Sequence, residues 1–153
     1  MSKKFYIATD HAGYAIKDFV KSYVRSLGHE IIDLGPDSDE RVDYPDFAKK
    51  CADAVLLDKG SFGILICGTG IGISIAANKV AGIRAALCHD TYTAKLTRQH
   101  NDANILCFGE RVVGKGVIED MIATFASTEF EGGRHAGRVE KIESVCAFGS
   151  DLG

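Results

Sequence analysis

The sequence predicts an α/β fold, a parallel sheet of five strands with helices on both faces. Three observations lead there. Short β-branched runs alternate along the chain with segments of helical periodicity. Several of those runs are apolar throughout, without the polar alternation of a strand that faces water on one side. The 153 residues carry 17 Gly but only 2 Pro, a balance that favours packed elements joined by tight backbone turns. Right-handed crossovers then bring every loop that follows a strand to one edge of the sheet, where such folds bind ligands.

Each element has its own signal. Phe5–Thr9 reads as the first strand. Ile16, Phe19, Val20, Tyr23, Val24 and Leu27 recur at helical spacing, and Gly28 supplies a stop. Glu30–Leu34 is the second strand. Pro45 suits the start of the next helix, with Phe47, Cys51, Val55 and Leu56 as its apolar stripe. Gly63–Cys67, Ile83–Leu87 and Asn104–Phe108 complete the strands, and further helices are predicted near 73–80, 91–100, 115–126 and 135–148. No repeat, low-complexity tract or linker interrupts the pattern, so residues 1–153 are read as a single domain.

Composition narrows the function. Hydrophobic residues make up 46% and charged residues 25% of the chain, with 18 Lys+Arg against 21 Asp+Glu and a net charge of -3. A protein that neutralises phosphates along a nucleic acid carries a basic excess, so no nucleic-acid partner is expected. No apolar run reaches the roughly 18 residues of a bilayer span, so no membrane partner is expected either. The run that begins at Phe5 meets Asp10 too early for a secretory signal. Five cysteines without a C-x-x-C indicate neither a disulfide framework nor a zinc knuckle, and a cytoplasmic location is expected. Cys51, Cys88, Cys107 and Cys146 sit in apolar or helical stretches and read as small buried hydrophobes. Cys67 differs, because it ends an apolar strand and opens a glycine-rich turn.

That turn, Cys67-Gly68-Thr69-Gly70-Ile71-Gly72-Ile73-Ser74, is the strongest local signal. Alternate glycines let several N–H groups converge on one point, and the helix that follows adds the positive end of its dipole. An anion site with a thiol at its rim results, and that field favours the thiolate. A dinucleotide loop is disfavoured, because Ile73 stands where the last glycine of G-x-G-x-x-G belongs. A cysteine phosphatase is disfavoured too, because Ile73 replaces the phosphate-gripping Arg six positions after the nucleophile. An oxyanion site beside a thiolate base, suited to removing a proton next to a carbonyl, remains. The plainer alternative is a glycine-rich turn that only joins strand to helix.

Other loops add polar groups, each with a bland reading beside the chemical one. Asp10-His11 follows the first strand and serves acid–base chemistry, binds an anion, or caps the next helix. His100, in Thr97–Asp102, moves a proton or caps a helix C-terminus. Arg111 follows the fifth strand and binds an anion or forms a surface ion pair. Arg134 and Arg138 lie four apart near a helix start, where two cations oppose the dipole unless an anion sits between them. A solvated basic face is the alternative, given Glu140 and Glu143. His29, His89 and His135 show no metal-ligand spacing, and no metal is expected.

Taken together these stretches resemble a known family. Asp10-His11, Asp43-Tyr44-Pro45, Ile66 through Lys79, Gly82-Ile83-Arg84, Gln99-His100-Asn101-Asp102, Phe108 through Gly114 and Gly132-Gly133-Arg134-His135 match, in order, the type B ribose-5-phosphate isomerases. That group includes isomerases of allose 6-phosphate and galactose 6-phosphate. The resemblance implies a three-layer Rossmann-like αβα fold with strand order 2-1-3-5-4. It implies conversion of ribose 5-phosphate to ribulose 5-phosphate through an enediolate, in the pentose phosphate pathway and without metal or organic cofactor. Cys67 resembles the base at C2, and Thr69 the proton relay. The backbone of Gly68, Thr69, Gly70, Ile71 and Gly72, with Asn101, resembles the enediolate cradle. His100 resembles the ring-opening group, with Asp10 near the ring oxygen. His11, Arg111, Arg134 and Arg138 resemble substrate and phosphate contacts, and Tyr44 the pocket wall. A homodimer, or a dimer of dimers, with sites shared between subunits is also implied. One branch of the family carries a Glu base at the position of Ile73, which puts this chain with the cysteine branch. Allose 6-phosphate as substrate, and a non-catalytic sugar-phosphate or nucleotide-binding module, are the alternatives.

Overall fold

The computed structural model describes residues 1–151, with side chains as far as Val145. The expected burial of Cys146 lies outside the described side chains. In chain order the elements are β1 (Lys4–Thr9), α1 (Tyr14–Ser26), β2 (Glu30–Asp33), α2 (Tyr44–Leu57), β3 (Phe62–Cys67) and α3 (Ile71–Ala77). They continue as β4 (Ala85–Leu87), α4 (Thr91–Asn101), β5 (Ile105–Gly109), α5 (Lys115–Ser127) and α6 (Arg134–Asp151). The five strands form one parallel sheet in the order β2-β1-β3-β5-β4. The α/β class and the strand order expected above are both observed. Among the described residues no helix is long and apolar enough to cross a membrane.

The uniformly apolar strands are covered on both faces, as their lack of alternation requires. All six residues of β3 are buried. One core joins Phe5, Ile7, Ile64 and Leu106 of the sheet to Val20 and Val24 of α1, Ala94 of α4 and Phe125 of α5. The other joins Ala8, Leu65 and Cys107 to Cys51 and Val55 of α2 and Ile73 and Ala77 of α3. Cys51, Cys88 and Cys107 are buried, as expected. Burial pushes the Cys51 thiol up to about 12 and the Cys88 thiol up to about 11, and it raises Cys107 as well. These three are inert filling.

Two expectations need correction. Leu56 is not part of the buried stripe of α2 but is 44% exposed. The buried residues are Ala48, Cys51, Ala52 and Val55, and small side chains let this helix lie close to the sheet. α3 begins at Ile71 and ends at Ala77, earlier than the 73–80 expected. The left-handed backbone of Gly70, with φ +80, turns the chain directly into the helix.

Strand order sets the location of the site. The chain leaves β1 toward β2 and then crosses back to β3 on the other side of β1, so a crevice opens between the ends of β1 and β3. Its outer wall is tied down by charge. Lys17, 3% exposed, meets Asp33 Oδ1 at 3.1 Å and also donates to the Pro36 carbonyl. Lys21 meets Asp33 Oδ2 at 2.9 Å, and the Gly35 amide donates to Asp33 Oδ1 at 2.8 Å. Burial alone would raise the Asp33 carboxyl, but Lys21, the Gly35 amide and Lys17 outweigh it and hold it below its ordinary 3.8. A carboxyl whose folded value is depressed stabilises the fold above its unfolded value, and this stabilisation is lost as pH falls through the folded one. Asp33→Asn should therefore cost about 2 kcal/mol in urea unfolding near neutral pH. The gap to the parent protein should close as pH drops below 3.8.

Candidate active site

The loop after β3 is built as an amide nest. Gly70 turns its N–H back onto Cys67 Sγ at 3.1 Å, and the Ile71 amide donates to Thr69 Oγ1 at 3.2 Å. Cys67 is 5% exposed, at the strand end, while the Thr69 side chain beyond it is exposed. The loop after β5 lies against this nest. Glu110 N donates to the Cys67 carbonyl at 3.0 Å, and Arg111 N to that of Gly68 at 3.1 Å. The contact is so close that a Cβ on Gly109 would stand 2.4 Å from the Thr69 carbonyl carbon. The Arg111 guanidinium sits over Gly68, 2.9 Å from where a Cβ would be, and the Tyr44 ring covers Gly72 in the same way at 2.6 Å.

From the other side of the crevice, Asp10 N donates to the Ile66 carbonyl at 3.2 Å. Asp10 Oδ1 accepts the amides of Ala12 at 2.9 Å and Gly13 at 3.0 Å. One oxygen of Asp10 thus holds the turn before α1 but does not cap the helix, whose N-cap is Gly13 without a side-chain partner, and Oδ2 remains available. His11 Nδ1 accepts from Val42 N at 3.3 Å, which leaves Nε2 as its free edge. Asp10, His11, Tyr44, Cys67, Gly68–Gly72 and Arg111 therefore share the C-terminal edge of the sheet. Two oxygens of a small substrate placed there meet backbone amides, and the guanidinium supplies a counter-charge.

The remaining candidates do not join them. His100 and Asn101 end α4 and precede β5, while Arg134 and Arg138 open α6. Asn104, just before β5, accepts Gly63 N at 2.8 Å, so this region lies at the N-terminal edge. From Ile105 to Gly109 the sheet advances four residues, or roughly 13 Å at about 3.3 Å per residue. A helix that follows a parallel strand must run back across the sheet, which separates the two ends. Within one chain His100, Asn101, Arg134 and Arg138 are remote from Cys67. A cleft of about 470 Å³ at this far edge includes Gly82, Arg84, Asn101 and Ile142 in its wall but not Cys67.

A further cluster was not legible in the sequence. His100 and His135 stack with centroids 4.3 Å apart and planes 14° from parallel. Glu131 Oε1 lies 3.6 Å from His100 Nε2 and 3.4 Å from His135 Nε2. The three ligand atoms lie within 4.8 Å of one another, the one such His/Cys/Asp/Glu group among the described residues. Glu131 and His135 are four apart, but Glu131 precedes α6, so helical spacing does not announce the pair, and nothing local announces the approach of His100. His29 is structural, its Nδ1 accepting Lys3 N at 3.0 Å.

A family model described as Ribose/Galactose Isomerase matches residues 5–142. The chain belongs to the ribose/galactose isomerase family. It is 48% identical over 143 residues to ribose-5-phosphate isomerase B of Escherichia coli, covering 94% of this chain and 96% of that one. It is 51% identical over 140 residues to a putative sugar phosphate isomerase of Bacillus subtilis, covering 91% and 94%. The structure of Clostridium thermocellum ribose-5-phosphate isomerase B superposes with a TM-score of 0.92 at 51% identity, covering 95% of this chain and 98% of that one. The type B enzyme of Trypanosoma brucei gives 0.91 at 51% identity, covering 94% and 99%. In this isomerase the nest stands on the Gly109–Thr69 contact. Gly109→Ala should lower isomerase turnover at least about 10-fold and destabilise the fold by roughly 2 kcal/mol, read by rate and by urea unfolding.

Proposed function

We infer that this member of the family interconverts ribose 5-phosphate and ribulose 5-phosphate. The observation that carries the reading is Cys67 Sγ at the mouth of an amide nest, with a guanidinium alongside. Cys67 removes the proton from C2 of the open-chain aldose. The C2–H electron pair forms the C1–C2 double bond, and the carbonyl pair moves to O1. Amides of Gly68–Gly72 stabilise that oxygen charge, each worth roughly 10²–10³-fold in rate. Thr69 carries the O2 hydroxyl proton toward O1, and C1 takes a proton as C2 becomes the ketone. General acid–base transfer contributes about 10²–10⁴-fold.

The remaining roles draw on both edges. His100 opens the furanose ring with Asp10 near its oxygen, Asn101 supports the enediolate, and Arg134 and Arg138 join His11 and Arg111 as phosphate contacts. Tyr44 forms the wall. A chain that divides these groups between the two ends of its sheet is completed by a second copy, so the reading includes a homodimer, alone or paired into a dimer of dimers. A two-fold axis brings the Cys67 edge of each copy to the His100 edge of the other. No metal or organic cofactor takes part. The reaction belongs to the pentose phosphate pathway, and the unpaired thiols of Cys51, Cys67, Cys88 and Cys107 support a reducing cytoplasm.

Two measurements test this. Cys67→Ala should abolish exchange of the C2 hydrogen with deuterated solvent while phosphate-ester binding persists; retained exchange refutes the base assignment. Cys67→Ala and His100→Asn, each inactive alone, should recover about one quarter of parental activity after mixed refolding, because half of the dimers are mixed and carry one intact site of two. No recovery by mixed dimers refutes the shared site.

A further inference from the structure

The His100–Glu131–His135 cluster takes no part in the reading above beyond His100 itself, and its geometry is specific. The backbone holds all three together. Glu131 N donates to the Gln99 carbonyl at 3.1 Å, next to His100, and His135 N donates to that of Gly132 at 3.0 Å. Gly132 and Gly133 have φ of +66 and +53, a left-handed turn that folds Glu131 and His135 toward the same neighbour. His135 is 6% exposed, whereas the His100 side chain is 36% exposed. The buried ring is thus a fixed surface, and the open ring rests on it.

The ring planes decide what the cluster does. A histidine binds a metal along the in-plane lone pair of its nitrogen. Planes 14° from parallel, stacked at 4.3 Å, do not meet at one point near both nitrogens. One ion would therefore sit out of plane for at least one ring. The same arrangement suits a proton. Burial first, and then the nearby charges of His100 and Arg134, push His135 below its ordinary 6.5. His135 therefore holds a second proton less readily than a free imidazole, and the one carboxylate, 3.6 Å from His100 Nε2, faces the more open ring as well.

We propose that Glu131 and His135 are positioning residues for His100. The carboxylate keeps the His100 proton on Nε2, and the stacked ring fixes the imidazole plane, so that Nδ1 is presented to the sugar. This rests on the ring-opening role given to His100 above. In that step Nδ1 takes the proton of the O1 hydroxyl as the C1–O1 double bond forms. The C1–O4 bond breaks with its electron pair on O4, and Nδ1 returns the proton to O4. The imidazole carries that proton from O1 to O4, with Nε2–H turned to Glu131.

The test uses the full-length assembled protein and two substrates. One is ribose 5-phosphate, and the other its 4-deoxy analogue, which lacks the hydroxyl that closes a furanose. Glu131→Gln, at a half-exposed side chain, should lower kcat on ribose 5-phosphate at least about 10-fold, against roughly 10²–10⁴-fold for a whole acid–base group. The rate on the 4-deoxy analogue should stay within about twofold, since no ring has to open. Nitrogen-15 spectra of His100 should show its proton on Nε2 in the parent and divided between both nitrogens in the variant. His135→Phe, which keeps a flat ring in the stack, should retain most activity on ribose 5-phosphate, and His135→Ala should lose it. A parental rate for Glu131→Gln, or an equal loss on both substrates, overturns the proposal. His100→Asn separates the two readings. If it is selective for the cyclic substrate and Glu131→Gln is not, only the positioning role fails. If His100→Asn loses both substrates equally, the ring-opening role fails and the positioning role falls with it.

Discussion

The site depends on a backbone contact at the end of the sheet. β3 and β5 are neighbours in register, so that Cys67 lies opposite Gly109. The loop after β3 turns back over that glycine with no space for a side chain. Because the contact is backbone on backbone, the loop whose Gly70 amide faces Cys67 is held by the sheet itself and not by flexible side chains. Preorganised dipoles of this kind need no rearrangement when charge develops on a substrate oxygen. Arg111 and Asp10 are placed by the same hydrogen-bonded strand ends. The thiol, the nest and the guanidinium are one mechanical unit.

A second constraint follows from parallel topology. Each helix returns the chain to the start of the next strand, so residues at helix ends accumulate at the edge opposite the nest. His100, Asn101, Arg134 and Arg138 all fall there. One chain of this fold cannot bring them to Cys67 without abandoning the sheet, but a symmetric pair can. The far edge also has its own organisation, in which a buried imidazole and a half-exposed carboxylate lie against the more open His100.

Much of the molecule was legible in the sequence. Apolar runs without alternation identified strands buried on both sides, and Gly28, Pro45 and the helical spacing of α1 placed helix boundaries within a few residues. Leu56 misled, because helical spacing alone does not say which side of the apolar stripe lies against the sheet. The nest was legible because its chemistry is local: alternating glycines and a cysteine within a few residues specify a turn whatever surrounds it. The sequence left Asp10-His11 open between acid–base chemistry, anion binding and a helix cap, whereas hydrogen bonds from the Ala12 and Gly13 amides show that one Asp10 oxygen holds the turn before α1 and not its cap.

By itself the sequence determined the order and type of the elements, the apolar cores and the cysteine–glycine turn, since each rests on interactions between residues a few positions apart. Tertiary structure alone decided which polar groups share an edge and that Glu131 and His135 meet His100. Those contacts join residues far apart in the chain, and their distances depend on how helices settle on the sheet, which no local pattern records.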